Sequence, residues 1–326
     1  MKLPRRKFLH LGAGAVALAA VSPPGRAQSY PTRPVRIVVP LPAGSSPDIR
    51  SRIVAEQLTR MWGHQVIVEN RAGGGGVIGV QAVLSTSPDG YTLLHAQASI
   101  FTVLPAQTDK PRFDVNRDLV PIGLTASEPM VFAVSPKLGI NTLGEFITTA
   151  RRNPHKFIIG TNPAGSLPHL AAMLFVRLSQ VPITVVPSTG GTNEAIREIM
   201  GGRVHAVIES LPGLRGALDA GDLKALAIMA PERASTALDI PAAAETVPGL
   251  VALGWTALAA PKETPPAIVQ QLTEDLRKVI DSSDTRARFE KIGATPFHAI
   301  FAVDLVRFIE TEQKLWWPIV REAAPK

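Results

Sequence analysis

"VRIVVPLPAGSSPDIRSRI", residues 35–53, changes its structural grammar halfway along. Val35 to Val39 form an apolar run of strand length, and Pro40 closes it. Pro47 suits the first position of a helix, where its missing N–H costs little. Ile49, Ile53, Val54, Leu58, Met61 and Trp62 then recur as one buried helical face requires. A strand that turns into an amphipathic helix is the opening of a βαβ unit. Ser46 can cap that helix, and Gly44, Ser45 and Ser46 offer N–H and hydroxyl donors at its start.

The same grammar continues along the chain. "QVIVEN" reads as a strand, "GVQAVLSTS" as a helix and "YTLLHA" as a strand. Further on, "VFAVS", "KFIIGTN", "ITVVPS", "VHAVIES" and "LKALAIM" read as strands. "TLGEFITTARRNP", with Thr142 and Glu145 at capping-box spacing, "SLPHLAAMLFVRLS" and "GTNEAIREIMGG" read as helices between them. Two long helical patterns, "PPAIVQQLTEDLRKVIDSS" and "AVDLVRFIETEQKLWWPIVREA", close the sequence. The 326 residues fit about two domains. Both are expected to be α/β, with mostly parallel sheets flanked by helices. Extended segments near "TASEPMVFAV" and "PGLVALGW" place the crossings between them. Residues 28–127 plus 254–326 form the first lobe in this reading, and 128–253 form a second lobe inserted into it.

Residues 1–27 read as an export signal. "PRRKFLH" carries a twin arginine followed by Phe8 and Leu9, and "LGAGAVALAAVS" is apolar but too short to span a bilayer. Small residues place cleavage near Ala27, and the R-R-x-F-L pattern resembles a twin-arginine signal. The expected location is the periplasm, in soluble form. Lys2, Arg5, Arg6, Lys7 and Arg26 supply five of the seven net positive charges. Without them, 29 bases face 27 acids, and no basic run is interleaved with aromatics, so nucleic acid is not an expected partner. There is no cysteine, which excludes disulfides, thiolate nucleophiles and cysteine metal sites.

Three motifs resemble ligand loops. "GGGGVIG" contains Gly74-x-Gly76-x-x-Gly79, but no strand-end acid lies about 20 residues beyond, where a ribose contact belongs. Its simpler use is close approach of backbone or ligand. "GTNPAGS", Gly160 to Ser166, has phosphate-loop spacing without the lysine, so it reads as an anion-friendly helix start. "PSTGGTNEA", Pro187 to Ala195, repeats the strand–turn–helix theme. With the opening loop, these turns lie at strand ends, where open α/β sheets bind ligands. The seven histidines show no metal spacing, and no G-x-S-x-G elbow occurs. No catalytic residue, metal or cofactor is expected. Trp62, Trp316 and Trp317 read as packing residues, and Trp255 as packing or cleft.

Several blocks together resemble the Bug or TctC-like periplasmic substrate-binding proteins of tripartite tricarboxylate transporters. "YPTRPVRIVVPLPAGSSPDIRSRIVAEQL", "VIVENRAGGGGVIGVQAVLSTSPDGYTLL", "FIIGTNPAGSLPHLAAMLF" and "VPSTGGTNEAIREIMGGRVHAV" carry the likeness in order. "LKALAIMAPERASTALDIPAAAET" and "GWTALAAPKETPPAIVQQL" complete it. The resemblance implies a two-lobed periplasmic-binding-protein-like (type II) fold with a ligand cleft between the lobes. It implies that a small organic acid or amino acid is held by Pro42, Ala43, Gly44, Ser45, Ser46 and Asp48 on one side. On the other side it implies Thr161, Asn162, Ala164, Gly165, Ser166, His169, Thr189, Gly190, Gly191 and Thr192. The chain departs from the family at Ser45, often a second Gly, at Ser188 and Thr189, commonly Tyr-Lys, and at His205, commonly Asp. Loss of that lysine argues against a multiply charged ligand such as citrate.

The expected function is capture of a carboxylate and delivery to transporter membrane subunits, by a monomer without catalytic activity. The alternatives are a ligand-presenting receptor for a sensor kinase and a secreted α/β enzyme. Asp48 has two readings. In the first turn it stabilises the helix dipole. If it faces the cleft, it favours an ammonium or hydroxyl beside the ligand's carboxylate.

Overall fold

A computed structural model of the chain describes residues 30–106, 113–188, 191–233, 239–296 and 300–323. The expected export signal and two expected ligand residues, Thr189 and Gly190, lie outside them. The opening strand β1 (Val35–Val39) runs into α1 (Ser46–Trp62), and the next strand, β2 (Val66–Asn70), lies parallel beside β1. Helix α2 (Val77–Leu84) leads to β3 (Thr92–Gln97), parallel to β1 on its other side. Parallel strand–helix–strand units of this kind are what the alternating pattern requires. Short helices α3 (Ala98–Phe101) and α4 (Val115–Asp118) then lead to β4 (Leu119–Val134).

β4 joins the two halves of the molecule. Fourteen of its 16 residues are buried, as expected of a strand covered on both faces, although Thr125, Ser127 and Glu128 bring polar groups into it. The second lobe follows as α5 (Leu143–Arg152), β5 (Ile158–Thr161), α6 (Leu167–Ser179) and β6 (Thr184–Pro187). It continues through α7 (Gly191–Met200), β7 (Ala206–Ser210), α8 (Leu211–Asp219) and β8 (Lys224–Ile228). The return strand β9 (Leu253–Pro261) pairs antiparallel with the first part of β4, from Leu119↔Pro261 to Pro129↔Leu253. The last part of β4, Met130 to Val134, pairs instead with β7 and β8. One strand thus belongs to the sheets of both lobes. The strand order is β2-β1-β3-β9-β4-β7-β5-β6, with β8 and the short β10 (Thr295–Pro296) also on β4.

The chain ends in α9 (Pro266–Asp281), α10 (Ser283–Lys291) and α11 (Val303–Ala323). Helix α11 begins in the first lobe, where Leu305 and Ile309 pack with Phe101 and Trp255. It ends in the second, where Trp316, Ile319 and Val320 join the core around Phe132 and Phe175. This departs from the expected grouping of all of residues 254–326 with the first lobe. The segment Leu211–Asp219, without a reading in the sequence, is a helix.

The expected buried face of α1 is also corrected. Ile53, Val54 and Leu58 are buried, but Ile49 and Met61 are 39% and 42% exposed. Asp48, Arg50 and Ser51 are buried in their place. Burial of polar groups is tolerated because each has partners. Ser51 donates to the Pro47 carbonyl at 2.7 Å and contacts His95, and Arg50 pairs with Glu128. Among the described residues, no helix is long and apolar enough to cross a membrane.

Candidate functional site

Two loops with the same local sequence stand at the start of α1 and α6. Pro42–Asp48 reads PAGSSPD, and Pro163–His169 reads PAGSLPH. Their geometry repeats as well. Gly44 and Gly165 adopt φ of +79° and +81°, where an L side chain is strained. Ser45 and Ser166 follow in extended conformation as N-caps, and neither side chain makes a cap hydrogen bond. The N–H groups of Ser45 and Ser166 close turns onto Pro42 O and Pro163 O, at 3.3 and 3.0 Å. Both Oγ atoms are buried without a partner among the described residues. A proline sits at the second residue of each helix and removes one N–H. Those of Ser46 and Asp48, and of Leu167 and His169, lie in first turns where the helix offers no acceptor. Each loop is therefore a small donor array at the positive end of a helix dipole.

The residue four positions beyond each glycine locks the turn. In α1 it is Asp48, whose Oδ2 accepts from Gly44 N at 2.8 Å. Arg52 Nε and Asn70 Nδ2 complete its partners, at 3.0 and 2.9 Å. Burial pushes the Asp48 carboxyl up, but the bonds from Arg52, Gly44 and Asn70 outweigh it and hold the group below the usual carboxylate range. In α6 the lock is His169, whose Nδ1 accepts from Gly165 N at 3.2 Å. Burial lowers the pKa of His169, which keeps the ring neutral and Nδ1 an acceptor. Asp48 therefore points back under its own loop, so a cleft-facing role is not its role here. Gly44 N–H is likewise spent inside the turn.

Between the lobes lies a cavity of about 600 Å³. Of the expected residues, Pro42, Asn162, Ala164, Gly165 and Ser166 line it. Ala43, Gly44, Ser45 and Ser46 do not; Pro40, Leu41 and Pro47 form that wall instead. Thr161 is fully buried beneath the second loop, and His169 stands behind it. Gly191 begins α7, and Thr192 reaches the site indirectly, donating to Glu209 Oε2 at 2.7 Å.

The glycine block supplies another wall through Gly73, Gly75 and Gly76. A Cβ on Gly79 would come within 2.7 Å of Pro40 Cα and 2.9 Å of the Arg71 carbonyl. The apparent dinucleotide fingerprint is thus a close packing of α2 against the opening loop.

Sequence reading missed the charged floor. Arg50, 1% exposed, pairs through Nη2 with Glu128 on β4, while its Nε has no partner among the described residues. Gly254 leaves the room, since a Cβ there would meet Glu128 Cγ at 2.9 Å. Trp255, beside it, stacks on Phe101 and donates to Glu312 at 3.0 Å, so it both packs and lines the cleft. Glu209, at the end of β7, completes the lining charges. The separation of 78 positions between Arg50 and Glu128 explains why no local pattern shows the pair. The repeated PAGS at 42–45 and 163–166, which the sequence reading did not pair, is the signal that could have linked the two loops. Among the described residues, no group of three His, Asp or Glu side chains could hold a metal ion.

Comparison with known proteins agrees with this architecture. A model of the tripartite tricarboxylate transporter family receptor, TctC, matches residues 50–324. Protein BugT of Bordetella pertussis is 35% identical over 315 residues, covering 95% of each chain. A TctC solute binding protein from Polaromonas, solved without ligand, is 25% identical, with a TM-score of 0.80 over 90% of this chain and 100% of its own. An R. palustris protein solved with adipate is 29% identical, with a TM-score of 0.75 over 90% of this chain and 98% of its own. On these grounds the chain belongs to the tripartite tricarboxylate transporter receptor family.

Proposed function

We propose that the protein captures a small carboxylate-bearing ligand in the periplasm and delivers it to the membrane subunits of a tripartite tricarboxylate-type transporter. The observation that carries this reading is the pair of PAGS loops, one in each lobe, beside one cavity. Oriented N–H groups and helix dipoles hold an anion without a dedicated cation. Adipate in the R. palustris relative supports a carboxylate as ligand. Closure about β4 and β9, near residues 127–128 and 253–254, brings the two loops onto the ligand by hinge motion. The protein acts as a monomer and binds without turnover, after export and cleavage near Ala27.

A thermal-shift panel of mono-, di- and tricarboxylates and amino acids tests the reading. A ligand at 100 times its dissociation constant stabilises the fold by about 2.7 kcal/mol. Silence across the panel, or chemical conversion of a bound compound, contradicts it.

A further inference from the structure

We infer that the cleft selects a ligand with one carboxylate and one cationic or N–H-donating group, and disfavours a second carboxylate. This rests on the carboxylate-capture reading above and names the substrate class within it.

The charged side chains lining the cavity, among the described residues, are Arg50, Glu128 and Glu209. Arg50 and Glu128 neutralise one another. Glu209 is only 6% exposed, and among the described residues the partners of its carboxylate are uncharged: Asn162 Nδ2 at 2.6 Å, Thr192 Oγ1 at 2.7 Å and Ser210 N at 2.7 Å. Its negative charge is solvated by these donors but not cancelled by them. Asn162 spends its amide nitrogen on Glu209, which fixes the amide orientation and leaves Oδ1 as an acceptor. That Oδ1 is buried without a partner among the described residues. Glu209 and Asn162 together therefore present negative charge and an open acceptor to the cavity.

The opposite demand comes from other atoms. Arg50 Nε, Ser166 Oγ and the first-turn N–H groups of α6 seek an acceptor. The two helix starts are also unequal. α1 carries Asp48 in its first turn, so an internal carboxylate already sits at its positive end. α6 has no acid in its first turn, and a neutral His169 takes the place of Asp48. The cleft thus offers one unoccupied anion position and one donor-seeking position. A dicarboxylate brings a second negative charge to the side that holds the buried Glu209, and like charges held close together repel. An ammonium there gains a charge-assisted hydrogen bond instead.

The test is calorimetric titration of the purified protein with matched pairs. In each, the amine of an aminocarboxylate is replaced by a carboxylate: alanine against methylmalonate, 4-aminobutanoate against glutarate, and 6-aminohexanoate against pimelate. In at least one pair the aminocarboxylate is expected to bind tenfold or more tightly than its partner. Glu209→Gln is expected to bring that pair within about threefold. If Glu209→Gln does not fold, Asn162→Ala takes its place, and the preference must fall at least threefold. Tighter binding of the dicarboxylate in every pair overturns the inference and leaves carboxylate capture standing. A preference that survives the substitution also overturns it. No binding by any compound overturns both readings.

Discussion

Gly44 and Gly79 serve the site for different physical reasons, and substitution separates them. Gly44 has a φ of +79° with open space where a Cβ would stand, so alanine there costs backbone strain alone, about 1 kcal/mol. Gly79 faces backbone atoms of Pro40 and Arg71 closer than any Cβ tolerates, and neither can swing aside. Gly79→Ala is expected to cost about 2–3 kcal/mol in urea unfolding, more than Gly44→Ala; the reverse order contradicts this assignment. The glycine cluster was legible in the sequence as a place of close approach. What it approaches was not, because Pro40 and Gly79 meet only after β1 and α2 have packed. Asp48 shows the same limit. Its place in the loop was legible, but its direction is set by Arg52 and Asn70, and Asn70 arrives from another strand.

At the scale of elements, His95 ties α1, β3, β4 and β9 together. It contacts Ser51 through Nδ1 and Thr125 through Nε2 at 2.8 Å, and Thr125 reaches Thr256. Burial, with a smaller contribution from Arg50, lowers its pKa to about 3. The unfolded chain binds a proton near pH 6.5 that the folded chain refuses until about pH 3. Stability is therefore full above pH 6.5 and falls as the pH drops through that window. At pH 5 this one group costs about 2 kcal/mol relative to pH 7. His169 and His205 are shifted in the same direction. Urea unfolding at both pH values checks the effect: His95→Gln is expected to be weaker at pH 7 yet to lose about 2 kcal/mol less on acidification. An equal loss in both proteins contradicts it. The opening strand, Val35–Val39, was legible because strict local patterning bounds it. The buried face of α1 was not, because Arg50 and Ser51 are made tolerable inside only by partners on β4 and β3.

At the scale of the molecule, the alternation of strands and helices was readable from local pattern. β4 was read only from its second half, since a strand shared by two sheets has no period of its own to announce it. The packing of the end of α11 into the second lobe was also beyond local pattern, because Phe132 and Phe175 in that core lie more than a hundred residues away in sequence. The central claim is that the loop at the start of α6 holds the ligand's carboxylate. Ser166 makes no cap bond, so its replacement leaves α6 nearly as stable, and any loss of affinity reports the ligand. The direct measurement is calorimetric titration of the protein and of Ser166→Ala with the carboxylate that stabilises it most. The account predicts saturable one-to-one binding, weakened about tenfold or more in the variant at an unchanged melting temperature. Equal affinity in the two proteins would contradict it.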